Sequence, residues 1–177
     1  MILHPRSHTY TLDDMFIEER APDDPALAGL LDAALAELVA KYGPGRSPVL
    51  PGARYLVAVA DGRAAACGAV QPTEVPDTGE VKRMYVAPWA RRRGLARALL
   101  KELERLAADE LGLRRLRLAT GVRQPEAIAL YDSSGYVRTP PYGSYAAESF
   151  ALCYAKELPA PGPGPAVTAA TSRSAAS

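Results

Sequence analysis

Three consecutive arginines followed by a glycine, Arg91 to Gly94, are the residues whose types point most directly to chemistry. They separate a strand-like run that ends at Val86 from an amphipathic helix pattern that starts at Leu95. The first N–H groups of a helix lack partners within the helix, and with the helix dipole they attract anions. Glycine lets an anion approach the backbone, and arginine grips phosphate oxygens with paired N–H groups. This arginine-glycine turn is therefore predicted to bind phosphate; a solvated basic turn is the alternative.

Other reactive residue types are scarce. Both histidines lie within the first eight residues, which argues against a histidine-based metal site or catalytic triad, and no metal site is predicted. Cys67 and Cys153 lie in apolar, strand-like runs and are predicted to be buried hydrophobic residues rather than a disulfide or a nucleophile. The formal net charge of +1 gives no overall field that would attract nucleic acid, so any basic site must be local.

Length and composition are typical of one globular domain, with 177 residues of which 48% are apolar and 23% charged. No apolar run reaches the roughly 20 residues that cross a bilayer, and the N-terminus lacks the apolar core of a signal peptide. We therefore predict a cytoplasmic protein without membrane association. Residues 1–14 are predicted to be an arm, residues 15–158 the domain, and residues 159–177, rich in Pro, Gly, Ala and Ser, a disordered tail.

Periodicity predicts the elements that must position the arginine-glycine turn. Residues 15–20 form a strand, and apolar residues from Leu27 to Val39 recur at helical spacing after an Asp24 N-cap. Asp61-Gly62 joins two apolar runs as a type I′ hairpin turn. There follow a strand over residues 80–86, a helix from Gly94 to about Leu111, a strand over residues 113–120, a short helix from Pro125 and two closing strands. This order predicts one α/β domain with a mixed sheet.

Two stretches together resemble the GNAT superfamily of acyl-CoA-dependent N-acyltransferases. The central motif of that family, in which Arg/Gln-x-x-Gly-x-Gly/Ala opens a helix after an apolar-Tyr-Val strand end, resembles VKRMYVAPWARRRGLARALL, with Arg91-x-x-Gly94-x-Ala96. The second motif, with Ala-Ile-x-Leu-Tyr before Gly-Tyr, resembles QPEAIALYDSSGYVRTPPYG. Departures are Ala96 for the second glycine and Gln124 where the family usually carries Asn. The resemblance implies a single GNAT-like domain whose central sheet is mixed, mostly antiparallel and flanked by helices.

The resemblance implies that acetyl-CoA is bound and that its acetyl group passes to a primary amine. The strand end at Met84, Tyr85 and Val86 would splay from its neighbour and bond the pantetheine amides through unpaired backbone groups. The pyrophosphate would be held by Arg91, Arg92, Arg93, Gly94, Leu95 and Ala96. Gln124 and Ala127 of the second motif would also contact the cofactor.

Acyl transfer to an amine needs a donor for the developing oxyanion, an acid for the departing thiolate and a base for the ammonium. Strand-end amides near Val86 are placed for the oxyanion. Tyr131 matches the family position of the acid, and a phenol with a pKa of about 10 is protonated at neutral pH. A core tyrosine is the alternative. Glu80 matches a frequently acidic family position and is the favoured base, acting through water, with Glu74 and Asp77 as alternatives.

The acceptor, a small-molecule or peptide amine, is not readable from the sequence: an amino acid, a polyamine, an antibiotic amine and a protein N-terminus are all open. Glu74, Tyr142 and Tyr145 are predicted to contact it, although the two tyrosines could equally cover the core. The basic residues of LRRLRL are predicted to form a wet strand face rather than an acceptor or nucleic-acid site. Direct attack in a ternary complex is expected, because no cysteine or serine constellation suggests a covalent enzyme intermediate. The alternative is a non-catalytic acyl-CoA-binding or sensing domain. An exposed edge strand near the C-terminus would allow a homodimer.

Overall fold

The computed structural model describes residues 15–45 and 47–160 of the chain. Its strands are β1 (Met15–Arg20), β2 (Arg54–Ala60), β3 (Arg63–Pro72), β4 (Thr78–Val86), β5 (Arg115–Gly121), β6 (Val137–Thr139) and β7 (Ala151–Glu157). Its α-helices are α1 (Pro25–Tyr42), α2 (Leu95–Arg105) and α3 (Pro125–Ser133). The element order agrees with the prediction. The predicted arm and nearly all of the predicted tail lie outside the described residues, so those two boundaries stay predictions.

All seven strands form one sheet in the order β1-β2-β3-β4-β5-β7-β6. Neighbouring strands are antiparallel except β4 and β5, which run parallel, so the predicted mixed, mostly antiparallel sheet is confirmed. The parallel pairing joins only residues 78–80 to residues 115–117. Beyond these residues β4 and β5 diverge. At the C-terminal edge β6 is three residues long, and pairing of this edge between two copies stays a prediction.

Helix α1 begins and ends as the sequence predicts. The Asp24 side chain accepts a hydrogen bond from the Leu27 N–H at 2.9 Å, Pro25 occupies the first turn, and Gly43 follows the last turn with a φ of 84°. Its apolar side packs against β2 and β3 in a small cluster made of Leu27, Leu30, Val57, Val59, Cys67 and Ala87.

The apolar side of helix α2 packs into the main hydrophobic core, which is a second and larger cluster of buried residues. The predicted stripe is confirmed, since Leu95, Leu99, Leu103 and Leu106 are all buried. The helix continues through a π-helical turn, Leu106–Glu110, before Gly112. A β-carbon at Gly68 of β3 would come within 2.8 Å of Leu103 Cδ1, so α2 packs closely on bare strand backbone there. Among the described residues no helix is long and apolar enough to cross a membrane.

The β2–β3 hairpin confirms two local predictions. Asp61 and Gly62 have φ angles of 52° and 69°, and a type I′ turn requires both to be positive. Cys67 of β3 and Cys153 of β7 are free and buried. Burial raises the pKa of the Cys67 thiol to about 12, which makes it a poor nucleophile at neutral pH.

Candidate active site

The divergence of β4 from β5 opens the sheet at the end of β4. Past residue 80, β4 pairs only with β3, and that pairing shifts register between Cys67 and Ala69. At this irregularity Arg83 has a φ of 60°, and its carbonyl accepts a hydrogen bond from the Cys67 thiol at 3.5 Å. Such bulges redirect a strand and are common beside active sites. The predicted splay of residues 84–86 is therefore present, and no described strand pairs with the β5 side of this stretch.

The arginine-glycine turn leads directly into α2. Gly94 is the N-cap of α2 with a φ of 77°, and no side chain of the described residues caps the helix. Arg92 also has a left-handed backbone, with a φ of 65°. A β-carbon added at Gly94 would meet no atom within 4 Å, so open space faces the start of the helix. The turn thus combines free N–H groups with the room that an anion needs.

The three arginines of the turn have different partners. Arg91 donates a hydrogen bond to the carbonyl of the last β4 residue at 3.0 Å and another to Glu37 of α1 at 2.6 Å. Arg93 pairs with Asp61 of the β2–β3 turn at 2.7 Å. Arg92 has no hydrogen-bond or ion-pair partner among the described residues. Arg91 therefore ties the end of β4 to α1, whereas Arg92 is free to meet an anion.

Tyr131 lies on α3 and belongs to the main core cluster. It is 5% exposed, and its ring lies against those of Tyr136 and Tyr154, with centroid distances of 5.7 and 5.8 Å. Burial, with a smaller contribution from Tyr154, raises the pKa of the Tyr131 hydroxyl above its ordinary value. The hydroxyl is therefore protonated at neutral pH, as both an acid and a core tyrosine would be.

Gln124 and Ala127 lie in the first turn of α3, as the second motif requires. Gln124 is the N-cap residue, and its Oε1 accepts a hydrogen bond from the Thr120 hydroxyl at 3.3 Å. This leaves the side-chain NH₂ of Gln124 available as a donor. Ala127 is half-buried and packs against the main core.

Tyr42, the last residue of α1, fixes the start of this segment and was not identified from the sequence. Its hydroxyl accepts a hydrogen bond from the Arg123 N–H at 2.9 Å, and its ring stacks on Phe150 with centroids 5.0 Å apart. The hydroxyl lies so close to the Gly121 backbone that any β-carbon at this residue would overlap it. Only glycine therefore fits at the end of β5 while Tyr42 holds the β5–α3 connection against α1.

A charged group that we call the Glu80 cluster lies where β4 and β5 part. Its members are Ser47, Glu80, Lys82, Arg117, Tyr142 and Tyr145. Glu80 stands opposite Arg117 in the parallel register, and its side chain is 7% exposed. Its Oε1 lies 3.3 Å from both Lys82 Nζ and the Tyr145 hydroxyl, and its Oε2 lies 3.8 Å from Arg117 Nε. The predicted base is thus surrounded by donors.

Lys82 and Ser47 complete the inner part of the Glu80 cluster. Lys82 Nζ donates to Ser47 Oγ at 2.6 Å and to the Tyr145 hydroxyl at 3.0 Å, in addition to Glu80. These bonds use all three N–H groups of the ammonium. Next to Ser47 a groove is lined by Leu31, Pro48, Val49, Tyr55 and Arg83.

Arg117 and Tyr142 form the outer part of the Glu80 cluster. The guanidinium lies 4.1 Å from the Tyr142 ring centroid, and its Nη2 pairs with Glu74 at 3.0 Å. The Arg117 side chain is 15% exposed, whereas that of Glu74 is 72% exposed. The wet-face prediction is therefore wrong for Arg117, because the Tyr142 loop covers it. It holds for Arg115, which is exposed.

The structure brings some predicted residues together and separates others. Glu80 and Tyr145 are within hydrogen-bond distance, whereas Glu74, within the described part of the chain, reaches the cluster only through Arg117. Asp77, an alternative base, precedes β4, and its carbonyl accepts hydrogen bonds from the N–H groups of residues 114 and 115. Sequence reasoning missed Lys82 as a site residue, although its alternation with Glu80 along β4 already places both on one face.

The strand pair that splays beside the N-terminus of α2, with the arginine-glycine turn between them, is the arrangement that the GNAT resemblance implies for an acyl-CoA site. The model of the acetyltransferase (GNAT) family matches residues 14–136, and the chain belongs to this family. The IAA acetyltransferase of Azospirillum brasilense is 40% identical over 108 residues, which are 61% of this chain and 70% of that protein.

Solved structures agree on the fold. A Klebsiella pneumoniae protein assigned as an acyl-CoA N-acyltransferase is 30% identical, with a TM-score of 0.71 over 81% of this chain and 97% of that one. A GNAT family acetyltransferase from Elizabethkingia anophelis, solved with acetyl-CoA bound, is 20% identical, with a TM-score of 0.63 over 82% of this chain and 99% of that one. The predicted GNAT fold and family are confirmed.

Proposed function

We propose that this protein transfers the acetyl group of acetyl-CoA to a primary amine by direct attack in a ternary complex. The observation that carries the proposal is the splay of β4 from β5 beside the uncapped N-terminus of α2. One feature offers unpaired strand backbone and the other offers unpaired helix N–H groups. A pantetheine arm attached to a diphosphate needs both. Family membership supports acyl transfer, and a relative of the same fold has acetyl-CoA bound.

The donor is held by backbone more than by side chains. Met84, Tyr85 and Val86 pair with the pantetheine amides as an added strand would. The N–H groups of residues 94–96 hold the pyrophosphate, and Arg92 adds positive charge.

Three further side chains border the donor. Arg91 keeps the end of β4 in place through its bonds to the β4 carbonyl and to Glu37. Arg93 lies at the turn but shares its charge with Asp61. On the α3 side, Gln124 and Ala127 face the donor, and the NH₂ of Gln124, which donates to no described residue, is available to a carbonyl oxygen.

Acetyl-CoA supplies an acyl thioester when it is bound. Backbone N–H groups near Val86 stabilise the negative charge that develops on the thioester oxygen. Tyr131, whose hydroxyl is protonated at neutral pH, donates a proton to the departing thiolate. Glu80 accepts the proton of the incoming ammonium through water. Its Oε2 is suited to this task because it accepts no hydrogen bond from the described residues, while Oε1 is held by Lys82.

A thiol-release assay with acetyl-CoA and a panel of primary amines tests the proposal. We expect amine-dependent release of CoA and intersecting initial-velocity lines, because both substrates must be bound before transfer. Parallel lines would indicate a covalent enzyme intermediate and would contradict direct attack. Tight binding of acetyl-CoA without turnover of any amine would favour a sensing domain instead.

A further inference from the structure

We infer that the amine acceptor carries a carboxylate next to its amine, as an α-amino acid does, and that Arg117 binds this carboxylate. The inference rests on the proposed function, because it names the acceptor class for the same site. It is carried by the charge balance of the Glu80 cluster and by two buried polar atoms within it.

The buried charges of the cluster do not balance. Lys82 and Arg117 are both largely buried, and Glu80 is the one buried carboxylate that contacts them among the described residues. Glu74, the second carboxylate on Arg117, is mostly exposed, so solvent screens that pair. An excess positive charge is thus held away from water, which is unfavourable unless an anion compensates it.

Arg117 is the cation with donor capacity to spare. Lys82 already uses its three N–H groups within the cluster. The Nε of Arg117 and the Tyr142 hydroxyl are both buried and have no hydrogen-bond partner among the described residues. Buried polar atoms without partners are rare in folded proteins, and they mark places where a polar ligand or water binds. Here the two atoms belong to a guanidinium and a ring that lie against each other.

The geometry of the guanidinium favours a carboxylate in particular. Nε and Nη2 form one edge of the Arg117 fork, and only Nη2 is engaged, by the exposed Glu74. A ligand carboxylate that replaces Glu74 at Nη2 can also take Nε, which gives the bidentate arrangement that arginine prefers.

The position of Glu80 beside Arg117 matches the spacing of an α-amino acid. Oε2 of the proposed base lies 3.8 Å from Arg117 Nε, so an ammonium that reaches Glu80 through one water keeps its own carboxylate within reach of the guanidinium. Lys82 and Arg117 repel any acceptor that carries a second positive charge near the reacting amine. Polyamines are therefore expected to be poor acceptors.

The test compares amino acids with their carboxamides, which keep the amine and the side chain but lack the negative charge. For the wild type we expect kcat/KM to be roughly 10- to 100-fold higher for the acid, the range that a charge-assisted, bidentate hydrogen bond supplies. Arg117→Gln should remove most of this preference. The acid-to-amide ratio is compared between proteins, which cancels the different basicities of the two amines. Arg115→Gln, at the exposed arginine of the same strand, is the matched control and should keep the ratio.

Two further measurements test carboxylate recognition, one without turnover and one without the Arg117 variant. Calorimetry with the N-acetylated acid and the N-acetylated amide, in the presence of CoA, reports carboxylate recognition without turnover. Glu74→Gln removes the competing carboxylate from the surface and should lower KM for the acid but not for the amide. It serves as the second variant if Arg117→Gln does not fold.

Equal use and equal binding of acid and amide would overturn the inference, while acetylation of the amides would leave the proposed function intact. Failure of the proposed function alone would give a different result. Preferential binding of the acid without turnover of either compound would contradict the proposed function and support the carboxylate site.

Discussion

The arginine-glycine turn and the Glu80 cluster are built in opposite ways. The turn is one continuous stretch, it is open to solvent, and its helix N–H groups and Arg92 have no partners among the described residues. The cluster draws Ser47, Lys82 and Tyr145 from distant segments and links them by hydrogen bonds under a loop. A site for a large anion is thus left incomplete until the ligand arrives, whereas a site that must orient a small amine is assembled in advance.

This difference has an energetic consequence. The ion pairs at the turn, Arg91 with Glu37 and Arg93 with Asp61, are exposed, and such pairs contribute little to stability. In the Glu80 cluster the charges are shielded from water, so removal of Glu80 leaves two cations without their buried carboxylate, and removal of Lys82 leaves buried acceptors without their donor. We therefore expect substitutions at the turn to affect binding, and substitutions in the cluster to affect folding as well.

The largest effect is expected at Tyr131, which we place on the donor side with the turn. Tyr131→Phe keeps the ring and its packing but removes the hydroxyl, so kcat should fall by roughly 10²–10⁴-fold while acetyl-CoA binds with similar affinity. Steady-state kinetics and calorimetry measure the two quantities. Tyr136→Phe is the matched control, because that ring packs in the same aromatic group. If both variants keep a kcat close to that of the wild type, Tyr131 is a core residue.

The next effect tests whether the turn is an anion site. Gly94→Asp should weaken CoA binding by roughly 10²–10³-fold, because a carboxylate would occupy the place of the pyrophosphate. Gly94→Asn is the control, since it has the same shape, tolerates the φ of 77° equally well and carries no charge. The rise in Tm on addition of CoA measures binding. Equal losses in the two variants would assign the effect to shape, and normal binding by Gly94→Asp would rule out the phosphate assignment.

Lys82 in the Glu80 cluster and Arg92 in the arginine-glycine turn allow one cation from each region to be compared. Lys82→Met leaves Glu80 paired with Arg117 but removes the donor to Ser47, Glu80 and Tyr145, and should lower the free energy of unfolding by about 1–3 kcal/mol. Arg92→Met changes an unpaired side chain at the turn and should alter it by no more than about 0.5 kcal/mol. Urea denaturation of both variants provides the measurement. Similar losses of stability in the two variants would mean that the charges of the Glu80 cluster contribute no more to stability than those of the turn.

The sequence predicted the turn better than the cluster for a physical reason. Helix N-caps, glycine turns and type I′ hairpins depend on neighbouring residues, so Asp24, Asp61-Gly62 and Gly94 could be assigned from local patterns. The order of elements along the chain and the family followed from the same patterns together with the two motifs. The chemical roles of Tyr131 and Glu80 stay predictions, because burial and contacts do not by themselves establish catalysis.

Arg117 shows why the cluster was predicted only in part, through Glu80, Tyr142 and Tyr145. The alternation in LRRLRL indicates which residues share a strand face, but not what covers that face. The cover is the loop that carries Tyr142 and Tyr145, and its position depends on long-range packing. The short parallel register that sets Glu80 opposite Arg117 is likewise fixed by the whole sheet rather than by either strand.

The smallest effect is expected at Asp61, where an exposed ion pair of the turn can be removed without disturbing the hairpin. Asp61→Asn preserves the type I′ turn, because Asn-Gly suits it as well as Asp-Gly does. It releases Arg93 and removes a negative charge near the proposed phosphate site, so CoA affinity should rise, by no more than about fivefold. The rise should vanish in about 1 M salt, where exposed charges are screened. Asp109→Asn removes the same charge beyond the other end of α2 and is the control for calorimetry at both salt concentrations. An equal rise in both variants would indicate a general effect of net charge, and no rise at Asp61 would place Arg93 outside the reach of the phosphates.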